Sequence, residues 1–163
     1  MSVRRVVLLA DMLGCAAALV MMIVMLIWPP PTPAEPTTWV LVLGFTALTV
    51  VGQMAYVKLR HGATTEELNF FEVVLAASIL LLAPVPALLA TLTGVLIGEL
   101  LMRRPWIKIR FNLGSYAAST SAMIVTYHAL DGDQPLLSWR SVVALLVAAL
   151  VFVAVNLAVL AQL

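Results

Sequence analysis

The feature that most constrains this chain is a succession of long apolar runs separated by short polar or proline-rich segments. A helix needs roughly 20 apolar residues to cross the ~30 Å hydrocarbon core of a bilayer. The chain is 63% hydrophobic and 10% charged, whereas a soluble domain is about half apolar and about a quarter charged. The sequence therefore predicts an all-α polytopic membrane protein, with residues 1–163 forming a single transmembrane domain. Its predicted helices cover six runs: Val6–Trp28, Trp39–Val57, Phe70–Leu82, Ala87–Met102, Phe111–His128 and Trp139–Leu163.

The third and fourth runs are shorter than an ordinary span. At 1.5 Å per residue they reach only about 20 and 24 Å, and Pro84-Val85-Pro86 separates them. Two arrangements are open: six transmembrane helices, or four spans plus a re-entrant helical hairpin at 70–102 that neighbouring helices bury. We favour six transmembrane helices, although both arrangements return the chain to the same side of the membrane.

The placement of basic residues predicts the orientation. Eight of the nine lie in the N-terminal segment or in the segments 58–69 and 103–110, and only Arg140 lies on the opposite side. Short cytoplasmic loops are enriched in lysine and arginine, so both termini are expected in the cytoplasm. Seven of the nine basic residues are arginine, and alanine, valine and leucine are abundant. This composition favours a bacterial cytoplasmic (inner) membrane.

Each predicted helix carries one acid or amide in the half of the membrane nearest the cytoplasm. An unpartnered polar group is expensive there, so each is either a structural contact or a functional site. Glu99 and Arg103 have the i,i+4 spacing of a helical ion pair, and Asp11 and Glu72 lie close enough to the interface to meet basic residues such as Arg110. A structural role is favoured over a proton or ion relay and over a ligand-responsive switch. We call these six residues the polar layer: Asp11, Gln53, Glu72, Glu99, Asn112 and Asn156.

Small residues recur at intervals of four on three of the predicted helices. Such faces allow helix backbones to approach closely in lipid. They fit packing within the chain, a homodimer, or contact with another membrane subunit. The faces are Ala10, Gly14 and Ala18 on the first helix, Ala90, Gly94 and Gly98 on the fourth, and Gly114, Ala118 and Ala122 on the fifth.

The fifth predicted helix carries a polar face that we call the ligand face. Its members recur at helical spacing, from the cytoplasmic end to the outer end. The face is a candidate lining for a pocket that binds a small molecule, although hydrogen bonding to neighbouring helices is the commoner use of such residues. The ligand face consists of Asn112, Tyr116, Ser119, Met123 and Thr126.

The sequence predicts neither an enzyme nor a cofactor. It contains no Walker loop, HExxH motif, nucleophile elbow or CxxC pair. A metal site is not expected, because Cys15 is the only cysteine and His61 and His128 fall on opposite sides of the membrane. A net charge of +1 creates no field that would attract nucleic acid. The expected environment is the lipid bilayer itself.

Several stretches of the chain form one ordered pattern. They are Thr64-Thr65-Glu66-Glu67-Leu68 through Glu99-Leu100, Arg103-Arg104-Pro105-Trp106, Arg110-Phe111-Asn112-Leu113 and Val151-Phe152-Val153-Ala154-Val155-Asn156. A short apolar pair is followed by a doubly basic loop with a proline, and then by a helix that opens with Phe-Asn. This pattern, over roughly residues 60–160, resembles the multi-helix membrane domains that precede GGDEF, EAL or HD-type phosphohydrolase domains in bacterial signalling proteins.

The resemblance implies a sensory input domain that regulates a cytoplasmic signalling output, such as cyclic-dinucleotide turnover, by an output domain expected after residue 163. Two other classes stay open. One is the substrate-binding membrane component of a vitamin or metal uptake transporter, and the other is a structural or assembly subunit of a membrane complex. Transporter sites usually place polar groups near the midplane, whereas the polar layer lies towards the cytoplasmic side.

Overall fold

The computed structural model describes residues 3–27, 36–61, 64–131 and 138–161. Within these residues the six predicted helices are present. A two-stranded antiparallel hairpin, with Tyr56 paired to Asn69, replaces the loop expected at 58–69. The elements are α1 (Val3–Ile27), α2 (Pro36–Met54), β1 (Tyr56–His61), β2 (Thr64–Asn69), α3 (Phe71–Leu81), α4 (Pro84–Leu101), α5 (Trp106–Asp131) and α6 (Trp139–Leu160).

Four of the described helices are long and apolar enough to cross a membrane. The other two fall outside this group for different reasons. With 11 residues, α3 reaches only about 16 Å. With 26 residues, α5 reaches about 39 Å, but it carries more polar side chains than any other described helix. The assignment of six spans therefore stays a prediction, and the four candidate spans are Arg5–Ile27, Thr37–Met54, Pro84–Leu101 and Trp139–Leu160.

Four helices begin at least three residues earlier than the apolar pattern predicts, and for α4 and α5 a reason is visible. The fourth helix begins at Pro84 rather than Ala87, because a proline in the first turn gives up an N–H that would have no helical partner. The fifth begins at Trp106 rather than Phe111, and the Lys108 N–H donates to the Pro105 carbonyl at 2.8 Å. Residues 106–110 of the basic segment expected as a loop therefore belong to α5, whereas residues 103–105 precede it.

The contacts of α2 with α4 give the relative direction of these two helices. A Cβ on Gly94 would lie 2.5 Å from Thr49 Cβ, and one on Gly98 would lie 3.4 Å from Gln53 Cδ. Residue numbers thus increase together along both helices, so α2 and α4 run parallel. The close approach at Gly94 also shows that the two backbones pack with no room for a larger side chain.

The central helix is α5, which contacts α1, α4 and α6. A Cβ on Gly114 would lie 2.7 Å from the Ala10 carbonyl oxygen, and Val20 and Val125 line one cleft further along the two helices. Hence α1 and α5 run parallel. Because α6 follows α5 directly and packs back on it, this last helix pair is antiparallel.

The small-residue face of α4 is buried against α2 at all three positions, Ala90, Gly94 and Gly98. On α1 only Ala10 of the three predicted residues is buried. Ala18 is exposed, and a Cβ on Gly14 would meet nothing within 4 Å. A strict four-residue spacing drifts by about 40° per step around a helix, so the face leaves the α5 contact after Ala10. The buried residues of α1 are instead Ala10, Ala17, Met21 and Val24.

An aromatic cluster joins α3 to the last two helices. The ring centroid of Phe71 lies 4.8 Å from that of Tyr116 and 6.3 Å from that of Phe152. Phe71 is fully buried, and the Phe70 N–H donates to the Gly52 carbonyl of α2 at 3.2 Å. The short helix α3 is therefore held by its first turn, at the same level as the end of α2.

Candidate functional site

The first polar contact of α5 is an ion pair between Arg110 and Asp11 of α1. The two side chains are 38% and 52% exposed at the surface of the bundle. Asp11 thus meets one of the basic residues that the sequence offered as its partner, while its position relative to the membrane interface stays a prediction.

The second contact joins α5 to α4 and is more deeply buried. Asn112 Nδ2 donates a hydrogen bond to Glu99 Oε1 at 3.0 Å. In the part of the chain that the structure describes, Glu99 Oε2 has no hydrogen-bond partner, and neither has Oε1 of Gln53. Both side chains are buried, and Gln53 packs on Gly98, next to Glu99 along α4. Residues from α2, α4 and α5 thus meet at one level of the bundle.

The predicted ion pair between Glu99 and Arg103 is wrong. Helix α4 ends at Leu101, and Arg103 adopts a left-handed backbone conformation with φ of 54°. An i,i+4 pair needs an unbroken helix between its members, so the side chain of Arg103 is turned away and exposed. Among the described residues, the partner of Glu99 is Asn112.

The third contact joins α5 to α6. Ser115 Oγ donates a hydrogen bond to Asn156 Oδ1 at 2.9 Å. The Ser115 carbonyl in turn accepts a hydrogen bond from Ser119 Oγ at 2.8 Å. The contact lies near the end of α6, which ends at Leu160. It therefore links the central helix to the C-terminal part of α6.

Four members of the polar layer take part in these three contacts, and Gln53 lies beside them. Glu72, the sixth, is exposed on α3. Sequence reasoning missed Ser115. It lies three residues after Asn112 on α5, and this spacing places both side chains on neighbouring parts of one helix face. The three-residue spacing from Asn112 was therefore the sequence signal that could have identified Ser115 as a member of the site.

The ligand face is largely used for packing. Asn112 is bonded to α4, Tyr116 belongs to the aromatic cluster, and Ser119 is fully buried. Met123 is 2% exposed in the core. Thr126 lines an open cleft of about 340 Å³ between α1 and α5. The binding of a small molecule by this face stays a prediction.

A second polar cluster lies at the opposite end of the α5–α6 pair. Tyr127 Oη donates a hydrogen bond to Asp131 Oδ2 at 3.0 Å, and both side chains are buried. Ser138 caps the first turn of α6 by accepting a hydrogen bond from the Ser141 N–H at 3.0 Å. Arg140 Nε donates to the Leu130 carbonyl at 2.7 Å. The two helices are thus joined by polar groups at both ends.

Comparison with protein-family models, curated proteins and solved structures gives no match for this chain. Within the described ranges, no group of three or more histidine, cysteine, aspartate or glutamate side chains could hold a metal ion. The polar contacts of α5 with α1, α4 and α6 are therefore the features that bear on function.

Proposed function

We propose that the chain is the membrane-embedded input domain of a bacterial signalling protein, regulating a cytoplasmic output domain joined to the end of α6. Cyclic-dinucleotide turnover is the output that the sequence resemblance favours. The observation that carries the proposal is the position of α5. Its first ten residues bond to α1, α4 and α6 in turn, and the last of these bonds reaches Asn156 near the end of α6.

Through α5, this arrangement connects α1 and α4 to the end of α6, which would lead to an output domain. A ligand or other stimulus can shift such a domain only by stabilising one of two arrangements. A rotation or translation of α5 changes the Ser115–Asn156 contact directly. Since α5 also carries the ligand face, a change at its outer half reaches this contact through one continuous helix.

The same proposal includes six crossings of a bacterial inner membrane with both termini in the cytoplasm. The parallel pairs α1–α5 and α2–α4 support it. When successive helices cross a membrane in alternating directions, the odd-numbered helices run one way and the even-numbered helices run the other way. The two basic segments, before α1 and at the start of α5, then lie on one side, as the positive-inside rule requires. In this arrangement α3 and α4 form a short pair that turns back at Ala83.

The orientation predicts a labelling pattern for introduced cysteines. In a Cys15→Ala background, an impermeant thiol reagent applied to intact cells should label Ala129→Cys, which is exposed at the outer end of α5. The same reagent should leave Arg104→Cys unlabelled until the membrane is permeabilised, because that exposed turn faces the cytoplasm. The reverse pattern would contradict the orientation.

The input role predicts that the Ser115–Asn156 hydrogen bond sets the output level. We expect Ser115→Ala and Asn156→Ala to change cyclic-dinucleotide production when residues 1–163 are fused to a cytoplasmic diguanylate cyclase. One hydrogen bond is worth about 1 kcal/mol, so an equilibrium that depends on it shifts by roughly fivefold. The measurement is the cyclic-dinucleotide concentration in cells at equal protein level.

The matched control for this experiment is Leu157→Ala, next to Asn156 but 59% exposed. It removes more side-chain atoms from the same turn of α6 without touching α5, and its output should equal that of the unmodified fusion. Equal output from all three variants would exclude the input role and favour a structural or assembly subunit.

A further inference from the structure

Among the described residues, two buried oxygens at the level of the polar layer accept no hydrogen bond. They are Oε2 of Glu99 and Oε1 of Gln53, whose residues are 5% and 8% exposed. A buried acceptor without a donor is destabilising, and a charged one is more so. Since Gln53 packs on Gly98 and Glu99 is the next residue, both oxygens belong to one turn of α4 and its partners.

No cation among the described side chains compensates the carboxyl group of Glu99. Arg110 is paired with Asp11 on the α1 side of α5. The other basic side chains described on α1, on α5 and in the α4–α5 turn are exposed: Arg5, Arg103, Arg104 and Lys108. A carboxylate at this depth would therefore be a buried charge supported by a single hydrogen bond from Asn112.

The titratable groups on the helices around Glu99 do not supply a positive charge either. Between Pro36 and Met54, α2 contains no titratable side chain. On α3 the group is Glu72. On α5 the groups are Lys108, Arg110 and Tyr116, with Tyr127, His128 and Asp131 at the other end of the helix. Lys108 is exposed, and Arg110 is paired with Asp11. Negative charges can only disfavour an ionised Glu99.

We propose that Glu99 is a proton-binding site, because its buried Oε2 has no hydrogen-bond partner among the described residues. The carboxylate takes the proton from a hydronium ion, forming an O–H bond at Oε2 and releasing water. The unpartnered acceptor becomes a donor, the charge leaves the apolar layer, and Oε1 still accepts from Asn112. Burying an acid in this environment normally ends in its neutralisation rather than in an isolated ion.

A proton fits this place better than a metal cation. Hard cations such as Ca²⁺ take about six to eight oxygen ligands, whereas Asn112 presents an N–H to the carboxyl group rather than its oxygen. The site itself does not depend on the proposed input role. If that role holds, the proton is a signal that the domain reads through the α4–α5 contact.

The test is infrared spectroscopy of residues 1–163 purified in lipid nanodiscs, titrated from mildly acidic to mildly alkaline pH. We expect a protonated-carboxyl C=O band in the unmodified protein that is lost in Glu99→Gln. The control Glu72→Gln removes an exposed carboxyl group and should keep the band. Because no output domain is present, the result is independent of the signalling role.

A second variant keeps the test decisive if Glu99→Gln does not fold. Gln53→Met retains the shape of the side chain but removes the neighbouring acceptor, so the frequency of the Glu99 band should shift while the band itself persists. Absence of the band at every pH would overturn the proposal. So would a band that disappears when Na⁺ is added at constant pH, since that would identify a metal-ion site.

Discussion

Replacing Gly94 with alanine should lower the free energy of unfolding of this domain by about 1–3 kcal/mol, the usual cost of overpacking a core. The added Cβ would lie 2.5 Å from Thr49 Cβ and 2.9 Å from the Thr46 carbonyl oxygen. One of these atoms belongs to the backbone of α2, so relief requires the two helices to move apart. The measurement is the unfolding midpoint of the purified protein in detergent.

The matched control is Gly14→Ala on α1, where a new Cβ would meet nothing within 4 Å. Both substitutions lie inside helices and gain the same propensity of about 1 kcal/mol over glycine. The control should therefore leave stability unchanged or raise it slightly. Equal destabilisation by the two variants would mean that the α2–α4 contact is not as close as the structure places it.

Replacing Asn112 with leucine should also destabilise the domain, because it removes the donor that Glu99 Oε1 uses. Both oxygens of a buried carboxyl group would then lack a donor. We expect a loss of about 1–3 kcal/mol, measured by the same unfolding experiment. A control is Thr126→Val, which removes a hydroxyl that bonds only to the Ala122 carbonyl of its own helix and should cost much less.

The double variant Glu99→Leu with Asn112→Leu makes this prediction specific. Removing both partners eliminates the unsatisfied group as well as the hydrogen bond. The double variant should therefore lose less free energy of unfolding than the two single variants lose in sum. Strict additivity would show that the two side chains do not interact, and the α4–α5 contact would then rest on packing alone.

The helices of this fold were predictable from length and hydropathy, because an apolar run has few alternatives in a chain of this composition. The boundaries were less so. Lys108 and Arg110 were interpreted as loop residues because they are charged. Both lie within the first two turns of α5. The hairpin at 56–69 was missed because its basic residues were interpreted as a loop, although Val57 and Leu59 alternate with them as in a strand.

The polar residues were predictable individually, but their partners were not. Spacing along the chain favoured Arg103 for Glu99, and only the end of α4 at Leu101 excludes it. The partner in the structure is Asn112. It lies on another helix, and residue spacing within one helix cannot predict a contact between two helices. Ion pairs and hydrogen bonds between helices depend on crossing positions, and these are set by close contacts such as Ala10 with Gly114.

The shortness of α3 has a consequence for how the protein enters the membrane. Eleven residues are too few to be recognised as a span during insertion, which needs roughly 20 apolar residues. In the proposed six-span arrangement, α3 therefore enters the bilayer only as a pair with α4, after α2 has been synthesised. Its final depth is then determined by docking rather than by the translocon, since Phe71, Leu75 and Ile79 are buried against other helices. Assembly of the aromatic cluster thus comes late, and we expect it to depend on bilayer thickness more than any other step.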